Sequence, residues 1–375
     1  MYPVSPSVGD YSLALRAVAA YGLAGSMLEL PPSELVDRDF LRLHARIREQ
    51  RLTGLFWSAI TDGVFPVTES QRDRAEESHL RVLAGILRLE QLLVDTVGTL
   101  KQAGVPVRAL KGAAVAHLDY PDPAQRTFGD IDLFVPSTAF DDAVAVLKAA
   151  GCIRRYPEPR PGFDRRFGKG TCLCTPAGLE IDLHRTFSMG PFGERLALDE
   201  LWERSESFTL AGTTVETLPV EARFLHAAYH AELGDLCPRL APLRDLAQIV
   251  LTAEFDWARL QSLMQASQGE AVVARSVRTA WQEFHLADVL AVSAWASQYR
   301  EDEQAAADLS LYTLTPSYAA RAFATVRAIP SLSEKARFVA ALTMPERSYL
   351  DGRHSSRPSR LRQGVTEILR GRSKS

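Results

Sequence analysis

The sequence has little cysteine and no excess of positive charge, and each of these shortages excludes a class of protein. Its 375 residues include 4 cysteines, too few and too scattered for a disulfide framework. The formal net charge is −3, whereas general polyanion-binding proteins carry a clear basic excess. We therefore expect a protein of a reducing compartment that does not bind polyanions generally.

Long apolar stretches are also missing. A membrane-spanning helix needs a run of about 20 predominantly apolar residues, and the sequence contains no such uncharged run. The first residues, MYPVSPSVGDYS, lack the basic and apolar regions of a signal peptide. With 46% hydrophobic and 24% charged residues, the composition is that of a folded globular protein. These features predict a cytoplasmic protein without a membrane partner.

Four segments with different patterns divide the chain. Residues 1–104 show amphipathic helical runs broken at glycines and prolines, and we expect them to pack on the segment that follows. Residues 105–218 alternate short β-type runs with helices. Residues 219–350 carry almost only helix-period runs, and residues 351–375 form a basic tail that we expect to be flexible. The predicted fold class is α+β, a small mixed sheet core flanked by N-terminal helices and a large C-terminal helical domain.

The longest helix predicted in the N-terminal segment follows Thr68 or Ser70. Either side chain can cap it, and Gly104 ends it. Apolar residues recur at intervals of three and four, which favours one buried stripe made of Leu80, Leu83, Leu87, Val94 and Val97. We expect this helix to pack on the mixed sheet.

Two aspartates stand at the start of an apolar strand in the stretch RTFGDIDLFV, residues 126–135. Residues i and i+2 of a strand point to the same side, so Asp130 and Asp132 place two like charges together. Such a pair beside apolar residues needs a counter-charge, and Mg²⁺ is commonly held by one or two carboxylates together with substrate phosphates. The alternative is a turn at Gly129 that Asp130 caps, with Asp132 paired to Arg126.

The same pattern returns in EIDLH, residues 180–184. Glu180, Asp182 and His184 lie on one face of the predicted strand, with isoleucine and leucine on the other. Two such strands side by side would bring three or four carboxylates to one point, which is the ligand set of a two-metal site. His184 would then contact or orient a carboxylate, or else fill the core as a buried histidine.

A strand that ends at a glycine and continues as a helix precedes both acidic strands. In Leu110-Lys111-Gly112-Ala113 the helix would begin directly after the glycine, so its unpaired N–H groups can receive an anion. Lys111 adds a full positive charge. Such junctions are common by themselves, so the meaning of this one depends on the aspartates that follow it.

Together these motifs resemble the signature of the nucleotidyltransferase superfamily that includes DNA polymerase β, and more narrowly its bacterial branch of nucleotidyltransferase family proteins. The positions that carry the resemblance are Lys111-Gly112, then Arg126-x-x-Gly-Asp130-x-Asp132-Leu-x-Val135, then Ile181-Asp182-Leu-His184. The helical part of that branch is similar to a second set of positions, His230, Arg239-Leu-x-x-Leu-Arg-Asp245-Leu and Asp256-Trp257.

The resemblance implies a metal site. Asp130 and Asp132 would bind Mg²⁺, or Mn²⁺ in its place. Asp182 would be the third carboxylate, able to bind the catalytic metal and to receive the proton of the acceptor. Gly112 would let the nucleotide phosphates approach the backbone, with Gly129 as a further nucleotide-binding position.

One position departs from the superfamily pattern. The superfamily usually has Ser or Gly after the glycine of the junction, and the Ser touches a phosphate, whereas Ala113 offers only its N–H. Lys111 and Arg126 can supply phosphate contacts instead, as a point charge and as a bidentate fork. The identity of the nucleotide donor therefore stays open.

Further residues are candidates for contacting the acceptor or for supporting the carboxylates. Glu180 and His184 share the face of Asp182. His230 and Arg244, in the helical segment, would face the cleft or pair with Asp245. Their roles depend on how the helical segment packs against the sheet.

The resemblance implies transfer of a nucleoside monophosphate from a nucleoside triphosphate to a hydroxyl or phosphate of a small molecule, peptide or protein, with release of pyrophosphate. A tRNA-type acceptor stays compatible, although no wider nucleic-acid track is evident. A second interpretation keeps the metal site but transfers a glycosyl group from a nucleotide-sugar to a peptide or natural product. A third is a non-catalytic nucleotide binder or one half of a toxin–antitoxin pair, although the intact Asp130, Asp132 and Asp182 argue against a non-catalytic binder.

Overall fold

The computed structural model of the chain describes residues 12–234, 239–254, 256–313 and 318–350. The predicted basic tail, residues 351–375, and Cys237 lie outside the described residues. Within those four stretches, no helix combines the length and the apolar character that a membrane span requires.

The described part of the N-terminal segment, residues 12–104, consists of helices and their connections, as predicted. Its helices are α1 (Leu13–Ala20), α2 (Asp37–Glu49), α3 (Thr53–Thr61) and α4 (Glu69–Gln102). Thr68 caps α4, because its hydroxyl accepts the backbone N–H of Gln71 at 3.3 Å while the Gln71 side chain accepts the N–H of Thr68 at 3.4 Å. This reciprocal pair satisfies two donors that the start of a helix leaves unpaired.

The buried face of α4 differs from the predicted stripe. Leu80 and Leu87 are 55% and 58% exposed, so the prediction was wrong at these two positions. The first half of α4 lies against α2 and α3, and it buries small or polar side chains such as Ala75 and Ser78 there. The apolar stripe begins later and consists of Ile86, Leu89, Leu93, Val97 and Leu100.

The central segment forms one mixed sheet. Its strands are β1 (Arg108–Leu110), β2 (Ile131–Phe134), β3 (Ile153–Arg154), β4 (Gly170–Cys174), β5 (Glu180–His184), β6 (Glu206–Leu210) and β7 (Thr213–Thr217). Their order across the sheet is β3-β4-β5-β2-β1-β7-β6. The β2–β5 and β1–β7 pairs are parallel, and the other neighbours are antiparallel. The helices of this segment are α5 (Gly112–Asp119), α6 (Phe140–Ala149), α7 (Phe163–Arg166), α8 (Pro191–Glu194) and α9 (Leu198–Glu203).

The described residues of the C-terminal segment form helices and the loops that connect them. Its helices are α10 (Val220–Leu233), α11 (Leu240–Thr252), α12 (Trp257–Ala266), α13 (Glu270–Glu283), α14 (Ala291–Gln298), α15 (Glu303–Thr313), α16 (Tyr318–Ala328), α17 (Leu332–Thr343) and α18 (Arg347–Leu350). The predicted α+β class, with a mixed sheet followed by helices, is confirmed.

The two faces of the sheet pack against different parts of the chain. Side chains alternate between the faces of a strand, so Ile131 and Leu133 of β2 join the apolar cluster that contains α4 and α6. Phe134 joins the other cluster, which combines α1–α3 from the start of the chain with α10–α13 from its second half. Asp132 shares the face of Phe134. Helices from both ends of the chain therefore surround the acidic face of the sheet.

Candidate active site

Asp132 and Asp182 lie side by side on two neighbouring parallel strands. The register of β2 and β5 places Asp132 opposite Asp182 and Phe134 opposite His184. The ligand atoms of Asp132, Asp182 and His184 lie within 4.8 Å of one another. The side-by-side placement that the sequence predicts is thus present, whereas the catalytic roles stay predictions.

The buried carboxylate of Asp132 is held by two basic groups. The Lys111 ammonium donates to its Oδ1 at 2.7 Å, and Nε2 of His184 lies 2.7 Å from the same oxygen. The antiparallel pairing of Leu110 with Asp132 brings the end of β1 to this point. The alternative in which Arg126 pairs with Asp132 is not found, because Lys111 supplies the counter-charge.

The three aspartates differ in how readily they ionise. Burial opposes ionisation of Asp132, yet Lys111 and His184 hold the pKa of its carboxyl well below the usual value. Burial and the nearby Asp132 charge raise the pKa of both Asp130 and Asp182. Burial, followed by the Lys169 charge, lowers the pKa of His184 to about 4, so its neutral imidazole donates to Asp132. One carboxylate is therefore firmly ionised and two accept a proton more easily.

Asp130 lies just before β2 and faces the N-terminal segment. The Arg51 guanidinium is 3.7 Å from its Oδ1, and a side chain added at Gly129 would meet that guanidinium at 3.4 Å. Arg51 follows α2 and has φ +56°, an uncommon conformation for a residue other than glycine. No sequence feature singles out Arg51, because the junction between α2 and α3 carries no motif.

The predicted strand–glycine–helix junction is present at the end of β1. Lys111 and Gly112 have φ +42° and +29°, and α5 begins at Gly112 with Ala113 as its next residue. The Phe128 ring lies beside the glycine, where an added Cβ would meet it at 3.4 Å. The turn directs Lys111 toward Asp132, and the first N–H groups of α5 have no partner within the helix.

Arg126, predicted to bind phosphate, is held by the helical segment. Its Nε donates to Oδ1 of Asp245 at 3.1 Å and its Nη2 donates to Oδ2 at 2.6 Å. Asp245 belongs to α11 and is buried. The phosphate contact of Arg126 stays a prediction. Asp245 accepts from Arg126 and from the Tyr120 hydroxyl, so the alternative in which His230 or Arg244 pairs with it is not found.

One cleft with a cavity volume of about 220 Å³ joins these groups. Its floor, on the sheet and the adjoining loops, carries Lys111, Gly112, Asp130, Asp132, Lys169 and Asp182. Its walls are residues 49–51, at the end of α2 and just after it, and His230, Arg239, Ala241 and Pro242 of the helical segment. Arg126 lies where the floor meets the helical wall. The N-terminal segment therefore does more than cover the sheet, since it supplies part of a wall.

Lys169 is a floor residue that lies outside the predicted motifs. It immediately precedes β4, and its carbonyl accepts the N–H of Arg185 at 2.9 Å. The neighbouring Gly170 allows β4 to approach β5 closely, because an added Cβ would lie 2.0 Å from the carbonyl oxygen of Leu183. Burial and the Lys111 charge lower the pKa of Lys169 to about 8. A lysine between two glycines, directly before a strand, was the available signal.

Two candidate acceptor residues do not line the cleft. Glu180 shares the face of Asp182 but pairs with Arg155 at the start of β5. Arg244 is buried in α11, and its guanidinium lies 5.4 Å from the centre of the Tyr120 ring. Because the neighbouring Asp245 points to Arg126, the helix directs Arg244 away from the predicted position. Of the four candidates, His230 lines the cleft and His184 supports Asp132.

The groups on the cleft floor fit a hard divalent cation. Mg²⁺ prefers oxygen ligands and is usually held by one or two carboxylates with substrate phosphates. Asp132 and Asp182 offer carboxylate oxygens at one point, and Asp130 lines the same cleft. The Lys111 ammonium at 2.7 Å shows that a positive charge is stabilised there. The residues therefore suit Mg²⁺ or Mn²⁺.

Comparison with known proteins gives a family match across this site. The sequence profile of the family described as "Uncharacterised nucleotidyltransferase" matches residues 37–285. No curated protein matches the chain. Among solved structures, an antigenic nucleotidyltransferase-like protein from Paracoccidioides brasiliensis is 16% identical, with a TM-score of 0.34 over 54% of this chain and 96% of that one. The antibiotic-resistance factor ANT(2'')-Ia is 17% identical, with a TM-score of 0.34 over 52% of this chain and 96% of that one. Because the profile spans about two thirds of the sequence, including the cleft floor and both walls, the chain belongs to this family of nucleotidyltransferases.

Proposed function

We propose that the protein is a Mg²⁺-dependent nucleotidyltransferase. It would transfer a nucleoside monophosphate from a nucleoside triphosphate to a hydroxyl, or a phosphate, of a small molecule, peptide or protein, and release pyrophosphate. The observation that carries this proposal is the parallel register of Asp132 and Asp182 beside the Lys111–Gly112 junction in one cleft. Membership of a nucleotidyltransferase family supports a transferase activity.

The carboxylates divide the chemical roles between them. When bound, Mg²⁺ would neutralise charge on the phosphates and on the attacking oxygen. Asp132 suits the binding of a cation, because Lys111 and His184 keep it ionised. Asp182 suits the receipt of the acceptor's proton, because burial and the Asp132 charge raise the pKa of its carboxyl. Asp130, just before β2, would be the third carboxylate of this acidic group.

The phosphates of the donor have a separate place on the floor. The start of α5 presents N–H groups without partners in the helix, and such groups receive anions. Lys111 and Lys169 add positive charge to the same cleft. Phosphoryl transfer depends chiefly on positioning and on charge neutralisation, and these groups supply both.

Which of two reactions the site supports depends on the identity of the donor. A nucleoside triphosphate and a nucleotide-sugar both present a diphosphate to the same site, so the floor accommodates either. Transfer from the triphosphate releases pyrophosphate, whereas glycosyl transfer releases a nucleoside diphosphate. We favour the triphosphate, because family membership points to nucleotidyl transfer.

The test combines labelled donors with a range of acceptors. The purified protein is incubated with Mg²⁺, each triphosphate labelled at the α-phosphate, a panel of nucleotide-sugars, and small-molecule, peptide, protein and tRNA acceptors. We expect pyrophosphate release and transfer of label, both lost in Asp130→Ala and Asp132→Ala. Release of nucleoside diphosphate from a nucleotide-sugar would instead establish glycosyl transfer. Turnover that is unchanged in both variants would refute the site.

A further inference from the structure

Asp245, in the helical segment, forms an ion pair with Arg126, which lies at the edge of the cleft floor. Its two carboxylate oxygens accept from Nε and Nη2 of Arg126 at 3.1 and 2.6 Å. The Tyr120 hydroxyl donates to Oδ1 of the same carboxylate at 2.9 Å. All three side chains are buried. A bidentate pair of this kind fixes both the position and the plane of a guanidinium.

The pairing leaves part of the Arg126 guanidinium for a ligand. A guanidinium carries five N–H donors. Nη1 of Arg126 donates to the carbonyl of Thr127 at 3.0 Å, so three bonds to Asp245 and Thr127 leave two donors. Arg126 also lines the cleft, four residues before Asp130. Its remaining donors thus belong to a side chain already held beside the acidic floor.

A second ion pair joins the same two segments and provides a matched comparison. Arg223 of α10 donates to both oxygens of Asp119 at 2.9 and 2.8 Å, and these side chains are buried as well. Neither Arg223 nor Asp119 lines the cleft. Both pairs are bidentate and buried, although Arg223 also pairs with a second carboxylate, that of Glu206. Of the two, the pair of Asp245 is the one that includes a cleft residue.

We propose that Asp245 is a positioning residue that holds Arg126 in place to bind the phosphates of the nucleotide donor. This inference rests on the proposed function. An arginine that is ordered before the ligand arrives loses little side-chain freedom on binding, whereas an unanchored one must be immobilised by the ligand. Asp245 thereby makes nucleotide affinity depend on how the helical segment packs against the sheet.

The test compares Asp245→Asn with Asp119→Asn in the full chain. The dissociation constant of a non-hydrolysable nucleoside triphosphate with Mg²⁺ is measured for each, together with the midpoint of thermal unfolding, KM and kcat. Both variants should unfold at lower temperature. Asp245→Asn should raise the dissociation constant and KM by about three- to tenfold, the cost of immobilising one long side chain, with a smaller change in kcat. Asp119→Asn should leave the dissociation constant unchanged.

A double-variant cycle shows whether Asp245 acts through Arg126. In the Arg126→Met background, Asp245→Asn should weaken nucleotide binding no further. Asp245→Glu keeps the negative charge and serves as a second variant in case Asp245→Asn does not fold. Its dissociation constant should lie between those of the wild type and Asp245→Asn, because the longer side chain displaces the guanidinium. Two results would overturn this inference but leave the proposed function standing. One is a dissociation constant of Asp245→Asn equal to that of the wild type. The other is a loss of affinity on Asp245→Asn that is the same in the wild-type and Arg126→Met backgrounds. A wild-type protein that binds no triphosphate would overturn the proposed function as well.

Discussion

The floor and the walls of the cleft are built in different ways. On the floor, the register of adjacent strands sets Asp132 beside Asp182. The walls depend on contacts between distant parts of the chain, such as the Gln50 side chain that accepts the N–H of Leu240, 190 residues away, at 3.1 Å. The floor carries the groups suited to metal and phosphate, and the walls fix how those groups are enclosed. Changes to the floor should therefore reduce turnover most, and changes to the walls should act on stability and affinity.

The largest effect is expected from a change to the floor. Asp132→Asn should lower the rate of transfer by about 10³-fold, as expected for the loss of a central electrostatic group. The amide neither balances the buried Lys111 charge nor attracts a cation. Rates are compared with those of Asp119→Asn, which lies away from the cleft. A transfer rate of Asp132→Asn within tenfold of the wild-type rate would contradict the claim that the floor, rather than the walls, determines turnover.

The helical segment should make stability depend on pH. Burial raises the pKa of Glu232 in α10 to about 7 from 4.5, although Arg275 lies at 3.2 Å. The folded protein then holds a proton that the unfolded chain has released, so stability falls as pH rises from about 4.5 to about 7. The loss from this group is about 3 kcal/mol. Denaturant unfolding at several pH values should show this slope, and Glu232→Gln should flatten it. An identical slope in the variant would contradict the assignment.

Lys169 should contribute less than Asp132, because Lys111 remains in the same cleft. Lys169→Met is expected to lower kcat/KM for the triphosphate by about tenfold. Lys148→Met, at an exposed position in α6, is the matched control and should behave as wild type. Lys169→Arg should restore part of the loss, since it keeps the charge. Equal values of kcat/KM for the Lys169→Met and Lys148→Met variants would exclude Lys169 from the site.

The smallest effect is expected from the N-terminal wall. Arg51 lies 3.7 Å from Asp130, but its side chain is 44% exposed, and exposed ion pairs contribute little. Arg51→Met should change KM for the triphosphate by no more than about threefold. Steady-state kinetics with saturating Mg²⁺ measure this change. An effect as large as that of Asp132→Asn would show that this wall belongs to the catalytic machinery.

The sequence predicted part of the floor, because the signals for that part are local. Alternation with a period of two placed Asp132 and Asp182 on strand faces, in agreement with the register of β2 and β5. Asp130, predicted on the same strand as Asp132, instead precedes β2. The glycine at position 112 marked the start of a helix. The partner of Arg126 was not predictable, since Asp245 is 119 residues away in the chain. The prediction that the leucines at positions 80 and 87 are buried was wrong for a similar reason. Helical periodicity gives a face, but the neighbours in space decide which face is buried.

The metal site can be tested most directly by titrating a non-hydrolysable nucleoside triphosphate into the wild type and into the Asp130→Asn/Asp182→Asn double variant. Calorimetry is run with Mg²⁺ and again with a chelator. Asp132 is kept, so Lys111 retains its buried partner and the fold is preserved. Binding that requires Mg²⁺ in the wild type, and gains nothing from Mg²⁺ in the double variant, is the expected result. Equal, Mg²⁺-independent binding by both proteins would contradict a metal site on the cleft floor.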